Sequence, residues 1–196
     1  MNELVRGLMA IVSDCMSIFS KDPRTGRLSF SFVDSFFYFM LPILIFIGTF
    51  YFNIPIGDNL NKAIVGVLTI FVVLSFQIIY IANDKFVSKV KYIMDGKKEK
   101  DNGRKELYDD EKNYLKRIGN YTLQFVRQMV LLILISILII LSSLLLICTG
   151  SHSISMIFSA IMLSLFYLWI LLLLKMVVSI YNLQVDEIRQ HNRLIR

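Results

Sequence analysis

Of 196 residues, 56% are hydrophobic and 18% charged, with a net charge of +6. That is more apolar material, in longer runs, than a water-soluble domain of this size needs for its core. The basic excess points to an anionic neighbour, either a lipid surface or a polyanion. Two cysteines, Cys15 and Cys148, exclude a disulfide scaffold, and neither has a His, Cys or carboxylate at metal-ligand spacing.

Residues 2–20 read as an amphipathic helix, with Leu8, Met9, Ile11, Val12, Cys15 and Phe19 on one stripe and Glu3, Arg6, Ser13, Asp14 and Ser17 opposite. A membrane-lying helix usually carries several Lys or Arg on its polar side, and this one has a single Arg. The stripe is therefore expected to pack on the chain's own cytoplasmic helices or on a neighbouring subunit, with the membrane interface as the alternative. No cleavable short apolar core follows a basic start, so no secretory signal peptide is expected. Residues 21–31, with Pro23 and Gly26, form a linker.

The first apolar span is expected at about 35–54, entered through Phe36, Phe37, Tyr38 and Phe39 and carrying Pro42, a site for a kink. A loop at 53–61 leads to a second span at 63–82. Its helical spacing continues through Phe86, Val90 and Met94 until KKEKDNGRK, residues 97–105, breaks it. From about Glu106 the three-and-four spacing resumes and runs to Thr149 without a proline. This helix holds nearly all of QMVLLILISILIILSSLLLICTG, residues 128–150, a stretch without charge or proline and long enough to cross a hydrocarbon slab of ~30 Å. Residues 150–155 turn the chain, a fourth span covers 154–174, and YNLQVDEIRQHNRLIR extends it as a polar helix.

The expected fold is therefore all-α: an integral membrane protein with four transmembrane helices and helical cytoplasmic extensions. Residues 1–33 form the amphipathic helix and linker, 34–83 spans one and two, 84–126 a cytoplasmic stalk, 127–175 spans three and four, and 176–196 a C-terminal helix. Of 21 Lys and Arg, all but Lys62 lie before span one, between spans two and three, or from Lys175 onward. The positive-inside rule then places both termini and the stalk in the cytoplasm, with Lys175 snorkelling to the interface at the level of Asp34 and Arg127. Apolar seams on the stalk suggest burial against other helices, and hence a homo-oligomer in the lipid bilayer.

Motifs of catalysis are missing: no phosphate-binding glycine loop, no nucleophile elbow, no HExxH and no CxxC. His152 and His191 fall on opposite sides of the expected membrane. Neither an enzyme activity nor a metal or cofactor is expected. The spans hold no internal charge, which argues against a proton-relay transporter but leaves a hydroxyl-lined or hydrophobically gated pore open. Polar candidates within the spans are Gln77, which must either bond another helix or line water, and Ser155 and Ser159, which share a face suited to close packing or to a pore. At the stalk tip, Lys97, Lys98, Lys100, Arg104 and Lys105 stand ~30 Å from the bilayer, beyond a Debye length of ~8 Å, so a polyanion or acidic partner is a candidate ligand there.

The entry LSFSFVDSFFYFMLP, residues 28–42, and the second span IVGVLTIFVVLSFQIIYIAND, residues 64–84, resemble in style the channel effector of the Hailong system, one of the small membrane effectors of bacterial anti-phage defence. That resemblance implies a homo-oligomeric ion channel of the bacterial inner membrane, held shut by single-stranded DNA from a partner nucleotidyltransferase. The chain is also similar in architecture to the four-span membrane subunit of the Kiwa system, which implies a membrane sensor docking a cytosolic effector. The expected function is a gated channel effector, with a non-conducting sensor or scaffold as the alternative.

Overall fold

The computed structural model describes residues 36–99, 105–148 and 152–194, together with residues 3, 6, 7, 9 and 10, which are helical. The amphipathic stripe at 2–20 lies mostly outside the described residues. Its one large described member, Met9, is exposed. The linker, Cys15 and Asp34 also lie outside.

Among the described residues there is no strand. A π-helical turn at Phe36–Met40 passes directly into α1, Leu41–Tyr51, followed by α2, Asp58–Glu99, α3, Lys105–Cys148, and α4, His152–Leu194. The last three have 42, 44 and 43 residues. At ~1.5 Å per residue each exceeds 60 Å, about twice a hydrocarbon slab. Their windows Asp58–Ser88, Tyr114–Cys148 and His152–Tyr181 are long and apolar enough to cross a membrane. The helix Phe36–Tyr51 is shorter than the span expected at 35–54. Its five π-helical and eleven α-helical residues reach only ~24 Å.

Pro42 explains where α1 changes register. It cannot donate a backbone hydrogen bond, and it sits in the first turn of α1, just after the π-helical turn. α1 ends with Asn53 at φ 51°, a left-handed conformation that asparagine tolerates better than most side chains. Backbone bonds from Phe52 N–H to Gly48 O at 2.9 Å and from Ile54 N–H to Thr49 O at 3.1 Å close that end. Ile56 tucks from the connection into the core. The loop expected at 53–61 is shorter than that, because Asp58 already opens α2, where an acidic side chain complements the helix dipole.

α2 packs on α3, α3 on α4, and α4 on α1. α3 is the central helix, with 44% of its apolar window buried against 28% for α4 and 17% for α2. The core joins Ile64 and Leu68 of α2 to Leu132, Ile135 and Ile139 of α3 and to Met162, Trp169 and Leu172 of α4. Trp169 meets Phe71 edge-on with centroids 5.0 Å apart, and stacks on Phe166 of its own helix at 6.0 Å. Away from this core the outward faces remain apolar: Ile70, Val73, Phe76, Leu138, Leu144, Ile147 and Val178 are all exposed.

Candidate functional site

The polar side chains inside the apolar windows are sorted by where their hydrogen bonds go. Several hydroxyls return to their own helix. Thr49, Thr69, Ser75, Ser136 and Ser142 each donate to the carbonyl four residues earlier, at 2.7–2.8 Å. This back-bonding engages the hydroxyl's proton within its own helix and leaves only its oxygen lone pairs to accept.

Two hydroxyls cross between elements instead. Ser143 Oγ donates to Asn61 Oδ1 at 2.7 Å, with both residues buried, and ties the start of α2 to α3. Ser164 Oγ donates to Pro42 O at 2.8 Å and ties α4 to the first turn of α1. Asn61 was not legible as a fold residue, because the loop expected at 53–61 absorbed it. Ser164 carried the right signal, a small polar residue at helix-packing spacing from Ala160. Of the two serines singled out on α4, Ser159 is buried beside the fully buried Ala160 and Ser155 is half-buried.

The two span glutamines part company. Gln128 is fully buried on α3, and among the described residues neither its Nε2 nor its Oε1 meets a hydrogen-bond partner; the buried Trp169 Nε1 likewise meets none among them. Gln77 on α2 is exposed and sits in a shallow groove with Phe76, Tyr80 and Ile81. Among the described residues no group hydrogen-bonds to it. The antiparallel register of α2 and α3 is pinned by the Ser143–Asn61 bond and by Phe86, whose ring lies 3.4 Å from where a Cβ on Gly119 would be. Counting between those ties brings Gln128 level with the turn holding Phe76 and Gln77. Two amides therefore stand at one height, one inward and one outward. Gln128 escaped sequence reasoning because it is the first residue of the uncharged stretch, where a polar group reads as an interfacial end.

Lys175 Nζ, midway along α4, lies 5.2 Å from the centroid of the Tyr38 ring, a cation–π geometry that ties α4 to the π-helical turn. Of the basic cluster, Lys97 and Lys98 fall in the last turns of α2 and Lys105 opens α3. Lys100 and Arg104 lie outside the described residues, as does any arrangement of these five side chains around a ligand. Among the described residues no group of three His, Cys, Asp or Glu could hold a metal ion. Comparison of the chain with family models, with curated proteins and with solved structures finds no match.

Proposed function

We propose that this chain is a four-span protein of the bacterial inner membrane, with both termini cytoplasmic, that assembles as a homo-oligomeric gated channel effector. One observation carries the reading: the long helices present large apolar side chains outward along windows of membrane-crossing length, and the exposed Gln77 sits among them. In water such faces would drive aggregation, whereas lipid solvates them. The short helix Phe36–Tyr51 would complete a fourth crossing by extension at its ends or local thinning of the bilayer. The cytoplasmic halves of α2 and α3 would receive the gating signal. The likeness to anti-phage effectors supplies a class of trigger, a nucleic-acid or protein ligand at the Lys97–Lys105 tip.

The test is planar-bilayer recording of the purified chain, with membrane potential followed on expression in cells. Unitary currents and depolarisation are expected. Silence in both, with protein in the membrane and with oligonucleotides added or removed, would reject conduction. The non-conducting sensor or scaffold has its own support in the hydroxyls of α2 and α3, whose protons are already donated within their own helices.

A further inference from the structure

Resting on the homo-oligomeric reading above, we propose that the outward edge of α2 from Gly66 to Tyr80 is the contact between copies, with Gln77 of each copy hydrogen-bonded to Gln77 of the next. Gly66, Ile70, Val73, Gln77 and Tyr80 follow one another at spacings of four, three, four and three, the repeat of a helix–helix seam. All five are exposed, Ile70 at 64%, Val73 at 60% and Tyr80 at 74%. At 100° per residue their line runs down the side of α2 opposite Ile64, Leu68 and Ser75, which are buried against the rest of the chain. This edge of α2 is therefore free for a neighbour while the other is committed to its own subunit.

Gln77 identifies the occupant. An amide carries donors and an acceptor and is costly to leave bare in lipid. Copies inserted in the same direction bring Gln77 to the same depth, where one amide satisfies another. A single polar residue in an otherwise apolar seam sets register, because any slip leaves the amide unpaired. Gly66 has nothing within 4 Å of its would-be Cβ, so a neighbouring helix can approach its backbone closely. Asp84, next on the line, is charged and exposed, and like charges from two copies end the seam there.

The experiment is disulfide cross-linking in native membranes, using the full chain with Cys15→Ser and Cys148→Ser as background. Single cysteines are placed at Val73→Cys and Tyr80→Cys on the seam, and at Ile78→Cys, exposed but about a third of a turn away. Copper–phenanthroline should give adducts of twice the chain mass at the two seam positions and little at Ile78. Adding Gln77→Leu should lower the seam yield roughly threefold for each hydrogen bond lost, and Gln77→Asn should retain most of it. Equal yields at all three positions, preference for Ile78, or an adduct of any other mass would overturn the seam. Subunit counting by single-molecule photobleaching separates the failures. Several copies without seam cross-links leave the oligomer standing and remove only this contact; single copies remove both.

Discussion

Asn61 and Gln128 are both buried side-chain amides, yet removing their polarity should have opposite effects. Asn61 Oδ1 accepts from Ser143 Oγ at 2.7 Å, so Ser143→Ala leaves a buried carbonyl without its donor. Interhelical hydrogen bonds between apolar spans are worth ~0.6 kcal/mol on average and up to ~1.7, so a loss of about 1 kcal/mol is expected. Gln128 meets no partner at either polar atom among the described residues. Gln128→Leu, close in volume and free of an orphaned amide, should therefore raise stability by about 1–3 kcal/mol. Thermal or denaturant unfolding of the purified protein in detergent would record both. A stability loss on Gln128→Leu would mean that its amide is held by a water or a group these contacts do not include. The residue scale is also where the sequence was hardest to read. Gln77 and Gln128 are the same residue type at one height, and only packing reveals that one faces out and the other in.

At the scale of elements, the long helices were legible because two local signals agreed. Apolar spacing through Phe86, Val90 and Met94 carries α2 past its apolar window, and the glycine-containing charged run at 97–105 ends it. The sequence places the second helix of the hairpin at about 106–149, and α3 runs Lys105–Cys148. The first span was less legible, since the left-handed Asn53 ends the helix at Tyr51, short of the expected 54, without changing the hydropathy. Near the hairpin-side ends of the apolar windows α2 and α3 are held together by Phe86 against Gly119, with Ile118 and Tyr121 buried on α3. A methyl on Gly119 would touch the Phe86 ring at 3.4 Å, a contact that a small ring shift relieves, whereas Gly119→Leu would wedge the helices apart. Gly119→Leu should accelerate tryptic cleavage between α2 and α3 at least several-fold. Gly119→Leu with Phe86→Ala should recover much of the protection, because space removed on one helix admits the side chain added on the other. Acceleration without recovery would assign the effect to backbone rather than to this contact.

For the whole molecule, the decisive quantity is which side of the bilayer each end of the bundle faces. Along the sequence every Lys and Arg but Lys62 falls before residue 36, between 85 and 127, or from 175 onward. In the proposed topology, the positive-inside rule would put the connection between α3 and α4 on the periplasmic side and both termini and the tip of the α2–α3 hairpin in the cytoplasm. The two native cysteines report on this directly, because Cys148 ends α3 and is exposed while Cys15 belongs to the amino-terminal segment. A membrane-impermeant maleimide added to intact spheroplasts should label the native chain, and Cys148→Ser should abolish that signal. Cys15 should react only after the membrane is opened. Because Cys148 ends an apolar helix and lipid could shield it, His152→Cys in a background without native cysteines provides a second reporter at the exposed first residue of α4. It should label from outside, while Lys97→Cys in the same background should not. Labelling of His152→Cys and Lys97→Cys from the same side would be incompatible with an odd number of crossings between them, since α3 alone separates the hairpin tip from the start of α4. The four-span arrangement, the cytoplasmic gate and the parallel seam through Gln77 would then all fail together, because each requires that α3 cross once and that every copy insert in the same direction.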